Sequence, residues 1–194
     1  MLKLETNILV EQRLEEFKQI NKLDTKYWFS ELCFCILTAN SKAETAINIQ
    51  QEVGPQGFIY LPQQELAQII RDNKHRFHNN KAKFIVQARE FTDIKNKIKS
   101  LSEPQAREFI VKNIKGLGYK EASHFLRNVG YDDVAIIDRH ILRFMHQQNL
   151  ISSIPKHITI KFYLDCEQIL SKFEIKLSRL DLIIWEKMTG KILK

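Results

Sequence analysis

An all-α fold is predicted by three features of the sequence. Apolar residues recur at helical spacing along most of the chain, Gly and Pro mark the ends of those stretches, and nothing resembles a sheet. Leu14 and Phe17, with Leu9 and Val10, form one stripe within residues 5–21. Residues 25–39 are apolar on nearly every side, which predicts a buried helix. Ser41 is placed to cap a helix over Glu44 to Val53 that stops at Gly54-Pro55. Leu66, Ile69 and Ile70 mark a helix ending near Asp72, and Phe84, Ile85 and Ala88 mark another starting after Asn79-Asn80. Ser102 and Gln105 fit a capping box, with Pro104 in the first turn, where a missing N–H costs nothing. Phe109, Ile110 and Ile114 line that helix, which Gly116 and Gly118 stop. A helix from Tyr119 carries Ala122, Phe125, Leu126 and Val129 on one face and ends at Gly130. The run Val134–Ile137 is too short to assign. Asp138 is an N-cap candidate for a helix presenting Ile141, Leu142 and Met145. Two more helices are expected at 157–172 and 176–189, for roughly ten in all.

The chain has 194 residues, enough to bury a core without metal or disulfide staples. Its net charge of +7 suits a polyanionic partner. Cys33, Cys35 and Cys166 are too few for a disulfide framework or a four-thiolate iron–sulfur cluster. No zinc-ligand spacing occurs, so no metal is expected, and the thiols read as reduced and buried. Glu5, Glu11, Glu15 and Glu16 interrupt the N-terminal apolar residues, unlike a signal peptide. The longest apolar stretch, Tyr27 to Ala39, is too short to span a bilayer. An intracellular, membrane-free monomer is expected.

The segment Ile114-Lys115-Gly116-Leu117-Gly118-Tyr119-Lys120 joins two amphipathic helices through a tight turn. Such a turn presents unsatisfied N–H groups at the positive end of a helix, where a DNA phosphate binds favourably. An ordinary αα-hairpin has the same appearance.

The text IKGLGYKEASHFLRNVG, followed by AIIDRHI, resembles the helix-hairpin-helix element of the base-excision DNA glycosylase superfamily, here about residues 103–130. In its bifunctional members a Lys lies two residues after the second hairpin Gly and an Asp lies 18 residues further on, as Lys120 and Asp138 do. The resemblance implies two interleaved helical lobes flanking a DNA-binding groove. It implies Lys120 as the nucleophile that forms a Schiff base with the sugar, and Asp138 as the carboxylate that stabilises the developing positive charge. Taken singly, Lys120 is an ordinary solvated lysine and Asp138 a simple cap.

Within the superfamily the chain is similar, over almost its whole length, to the compact type-2 8-oxoguanine DNA glycosylase/AP lyases. The stretches ELCFCILTANSKA and HRFHNNKAKFIVQAR, the hairpin block and the tail carry this likeness. It implies no cofactor and duplex DNA containing 8-oxoguanine or abasic sites as partner. It also implies that Trp185 packs beside the flipped base and that Lys194, nine residues on, helps read it. Sensing the N7–H that guanine lacks requires a carbonyl or carboxylate acceptor, for which the Lys194 terminal carboxylate is a candidate. Gly190 is expected to end the last helix, with Ile192 and Leu193 anchoring the arm. Asn40 and Ser41 fall where relatives fill the gap left by the extruded base, while Arg76 and Phe77 suit a phosphate contact and an aromatic wedge. His140 reads either as orienting the loop around Asp138 or, more simply, as a satisfied structural histidine, and Lys81, Lys83 and Arg89 as solvated charges unless they line the groove. An oxidised-pyrimidine glycosylase/lyase and a non-catalytic helix-hairpin-helix DNA-binding module remain the alternatives.

Overall fold

A computed structural model describes residues 7–194. The expected start of the first helix at residue 5, and Glu5 itself, lie outside the described residues. Eleven α-helices and two 3-10 turns make up the regular structure among the described residues. They are α1 (Ile8–Lys22), α2 (Thr25–Thr38), α3 (Ala43–Tyr60), α4 (Gln63–Asp72), α5 (His78–Ala88) and α6 (Ile94–Ile98). There follow α7 (Glu103–Asn113), α8 (Tyr119–Asn128), α9 (Arg139–Gln147), α10 (Ile160–Leu170) and α11 (Leu177–Thr189). No helix among the described residues is long and apolar enough to cross a membrane.

Two apolar cores divide the chain at the Val134–Ala135 bond. The first gathers α2 to α8 around Trp28, Phe29, Phe34, Phe58 and Phe125, with α2 as its centre. The second gathers α9, α10 and α11 around Phe144, Met145, Tyr163 and Leu180. Helix α1 returns to the far end of the chain, where Val10, Leu14 and Phe17 pack on Leu182 and Ile183 of α11. Helix α1 therefore packs with the C-terminal helices, and α7 is also tied to α10 by a bidentate ion pair. Arg107 Nη1 and Nη2 donate to the two oxygens of Glu167 at 2.6 and 2.8 Å. All three cysteines are free and buried, and burial pushes the Cys33 and Cys35 thiols up.

Several local expectations change. The helix entering at Glu44 does break at Gly54, whose φ of 64° is left-handed, but it resumes from Pro55 to Tyr60. Proline is tolerated there as the first residue after a break. Ser41 does not cap α3: Lys42 occupies that position without a side-chain bond. Helix α5 begins at His78, slightly before Asn79-Asn80. Lys81 is not a solvated charge. It is buried, and its Nζ donates to the Ile36 carbonyl at 2.6 Å, with burial lowering its pKa to about 8. Arg89 bonds the Phe58 and Leu61 carbonyls at 3.0 and 2.5 Å, closing the C-terminal end of α3. Lys83 is exposed as expected.

Candidate active site

Helices α7 and α8 form the hairpin. Ser102 caps α7 through a complete capping box with Gln105, as the sequence indicates. The two hairpin glycines serve different ends. Gly116 has φ of +92°, and a Cβ there would lie 2.6 Å from Phe84 Cδ2, so both conformation and space demand glycine. Gly118 is the N-cap of α8 in extended backbone, and a Cβ there would meet only the end of the Glu121 side chain at 3.3 Å. Its small size leaves the backbone N–H groups at the start of α8 approachable.

Lys120 sits in the first turn of α8, half-exposed, with its Nζ 3.1 Å from Glu121 Oε1. His124 and Arg127 follow it at four and seven residues, so all three share one helical face. Across from them, Asp181 and Trp185 of α11 share another. These faces, with Thr38 at the end of α2 and Ser41 beyond it, Ile136 and Asp138 before α9, and Leu193 and Lys194 of the tail, line a pocket. Its inner wall is ionic, since Arg127 and Asp181 form a buried ion pair. Burial pushes the Asp181 carboxyl up to about 6, against the lowering effect of Arg127. Burial also holds His124 well below the usual imidazole range, with Arg127 and Lys120 adding to the effect. The Nε2 of His124 and Nε1 of Trp185 are buried without hydrogen-bond partners.

Asp138 is held by a loop that carries no regular structure yet is almost wholly buried. Helix α10 pins it. Glu167 accepts from Ala135 N at 2.6 Å, and the Tyr163 hydroxyl donates to Ala135 O at 2.6 Å and accepts from Ile137 N at 3.2 Å. Asp138 then caps α9, its Oδ1 accepting from both His140 N and Ile141 N at 2.8 Å. Its Oδ2 makes no hydrogen bond among the described residues. His140 packs edge-on against Trp185, with ring centroids 4.7 Å apart, rather than bonding the Asp138 loop through its ring.

A second, open groove runs past the same two residues. Asn40, Gly118, Tyr119, Lys120, Asp138, Arg139 and Tyr163 are among its lining. Lys120 and Asp138 thus border both cavities. Trp185, Ser41 and Lys194 face the pocket, and Asn40 faces the groove from an exposed left-handed turn with φ of 61°. Arg76 stacks on the exposed ring of Phe77 at 4.5 Å, but neither residue lines either cavity, and Gly116 does not. The tail turns back at Gly190, with φ of 71°, and Ile192 packs against the α1–α11 core. His124, Arg127, Asp181 and Glu31 were not singled out by sequence. Spacing of four and seven residues from Lys120 was the available signal for the first two.

Residues 10–179 match the profile of the 8-oxoguanine DNA glycosylase family. The chain belongs to this family. A relative named 8-oxoguanine DNA glycosylase/AP lyase from Methanocaldococcus jannaschii is 52% identical, over 96% of this chain and 92% of that one. Relatives of the same name from Thermotoga maritima and Aquifex aeolicus are 46% and 41% identical, each over at least 95% of this chain and at least 92% of theirs. The M. jannaschii glycosylase/lyase in complex with a 15mer DNA containing 8-oxoguanine superposes with a TM-score of 0.92, covering 96% of this chain and 92% of that one. Endonuclease III trapped on DNA has the same fold at 17% identity, with a TM-score of 0.57 and coverage of 97% and 85%. Membership in the 8-oxoguanine DNA glycosylase family agrees with the all-helical, two-lobed arrangement around the groove.

Proposed function

We propose that this chain excises 8-oxoguanine from duplex DNA and then cleaves the strand at the abasic site, inside the cell, with Lys120 as nucleophile and Asp138 as its electrostatic partner. The observation that carries this reading is that Lys120 and Asp138, from separate elements, both line the pocket and the neighbouring groove. The groove suits the DNA backbone and the pocket suits a flipped base. Extrusion of the base costs a few kcal/mol and gives access to the sugar carbon that the stack shields. The hairpin turn around Gly116 and Gly118 binds the phosphates through the Tyr119 and Lys120 N–H groups, which lie at the positive end of α8, while the Gly118 N–H is taken by Glu121 Oε2 at 3.3 Å.

The Lys120 amine attacks C1′ as the bond from C1′ to the base breaks. The base leaves with the bonding electron pair and takes up a proton. Positive charge develops on the sugar in that step, and the Asp138 carboxylate lies beside it. Loss of a proton from the attacking nitrogen and opening of the ring leave an iminium on Lys120. Removal of a C2′ proton then expels the 3′ phosphate by β-elimination. A primary amine and a carboxylate suffice for these steps. Trp185 packs on the base and Lys194 borders it, while Asn40 and Ser41 approach the gap left in the duplex.

The test is Lys120→Gln, which keeps the length of the side chain and removes its nucleophilic amine. Borohydride should trap no adduct with 8-oxoguanine duplex, excision and strand cleavage should both disappear, and duplex binding should persist. A trapped adduct of wild-type intensity would show that another residue is the nucleophile. Unchanged turnover would favour a non-catalytic role for the hairpin.

A further inference from the structure

Helix α2 is apolar on nearly all sides, yet it carries Glu31, buried to 4% exposure. A buried carboxylate is costly unless it is paired and hydrogen-bonded. Glu31 is supplied with both. Its Oε2 accepts from Asn128 Nδ2 at 3.1 Å, and its Oε1 accepts from Gln50 Nε2 at 3.1 Å and from Lys194 Nζ at 2.5 Å. The same ammonium donates to Gln50 Oε1 at 2.7 Å and lies 4.9 Å from the centre of the Phe34 ring. Arg127, also close by, is matched by Asp181. Lys194 therefore supplies the positive charge that Glu31 requires.

The arrangement amounts to a socket. A carboxylate, an amide oxygen and an aromatic face surround one ammonium, a combination that suits a lysine head group. The socket is also joined to the pocket. Asn128 ends α8, the helix that begins with Lys120, and its Oδ1 accepts from Arg127 Nη2 at 3.0 Å. The chain of contacts runs from Lys194 through Glu31, Asn128 and Arg127 to Asp181, so the tail, α2, α8 and α11 share one buried polar network. The Lys194 side chain points into this wall, while its residue borders the pocket.

We infer that Glu31, with Gln50, is a positioning residue for base recognition: it grips the Lys194 ammonium and thereby sets the tail against the pocket that receives the flipped base. This inference rests on the reading above, in which Lys194 borders the lesion. Glu31 acts through Lys194 and does not touch the substrate.

The experiment reads the grip and its consequence separately. Brief labelling of the DNA-free enzyme with acetic anhydride, followed by peptide mass spectrometry, reports the accessibility of each lysine. Glu31→Gln should raise labelling of Lys194 several-fold and leave the exposed Lys172 unchanged. In single-turnover assays the same variant should slow 8-oxoguanine excision about tenfold while cleavage of a ready-made abasic site changes less than about twofold. Gln50→Met removes the other acceptor without uncovering a charge, and it should shift both readouts in the same direction. It also serves if Glu31→Gln folds poorly in thermal melts. Adding Lys194→Met to Glu31→Gln should cost no more excision than either change alone, because both remove one contact. Unchanged Lys194 labelling in both variants would overturn the grip. Raised labelling with undiminished excision would overturn the positioning role, as would equal losses on the two substrates. Deletion of Lys194 tests the underlying reading independently of Glu31: normal 8-oxoguanine excision after that deletion would remove Lys194 from base recognition altogether.

Discussion

Asp138 accepts two backbone N–H groups on Oδ1 alone, and its other oxygen remains for the pocket. The cap observed here and the catalytic role proposed for Asp138 are therefore compatible in one side chain, although the sequence presents them as competing ones. Asp138→Asn separates them. The amide oxygen can still cap α9, so thermal stability should change by less than about 1 kcal/mol. The negative charge beside the developing cation is lost, so excision should fall by about two orders of magnitude or more. Single-turnover kinetics and a melt on the same preparation check both. A large loss of stability would mean that the helix needs the charge, and retained activity would reduce Asp138 to a cap. Lys81 shows the opposite kind of surprise. Nothing in KAKF signals a buried lysine, because its acceptor, the Ile36 carbonyl, is contributed by the end of another helix.

The helices were legible where local chemistry ends them: the Ser102 capping box, Gly130 after α8 with φ of 88°, and Gly190 after α11. They were less legible where tertiary contacts decide. A polar stripe on an amphipathic helix reads as its solvent face. On α8 that stripe is Lys120, His124 and Arg127, and it faces a pocket walled by a helix more than fifty residues away in sequence. The loop Val134–Ile137 could not be assigned because its hydrogen bonds go to Tyr163 and Glu167 rather than to a repeating partner. The hairpin also separates into two functions that its text, GLG, makes look alike. Gly116→Ala forces an L side chain into φ of +92° against Phe84 and should destabilise the fold by about 1–3 kcal/mol. Gly118→Ala meets only a movable carboxylate and should leave the melting temperature nearly unchanged, while weakening binding to damaged and undamaged duplex alike. Fluorescence anisotropy on both duplexes, beside thermal melts, distinguishes the two. A destabilised Gly118→Ala of normal affinity would reverse the assignment.

Across the whole molecule, the concentration of charge around one pocket makes stability depend on pH in a direction that can be worked out. His124 is neutral when folded, because burial first, and then Arg127, Lys120 and Lys194, oppose its protonation, while a backbone contact to Lys194 partly offsets them. His75 is neutral too: Phe77 N donates to its Nδ1 at 3.2 Å, so Nε2 carries the proton on the 2.9 Å bond to Leu37 O. An unfolded histidine takes up a proton as pH falls through about 6.5. The folded chain refuses that proton, so both residues contribute stability that is present above pH 6.5 and lost below it. Each withheld proton contributes a slope approaching about 1.4 kcal/mol per pH unit. Asp181 acts in the opposite sense. With its folded pKa raised to about 6, its contribution is present at low pH and is lost as pH rises through about 6. The two effects partly cancel in the wild type between about pH 4 and 6, so the informative quantity is a difference. His124→Gln removes one titrating group and leaves His75 and Asp181 in place. Unfolding free energies measured from pH 7.5 to 5.5 should converge or cross, the wild type losing stability faster than His124→Gln below about pH 6.5. Parallel curves would mean that His124 is protonated inside the folded pocket, and its Nε2 would then need an acceptor there.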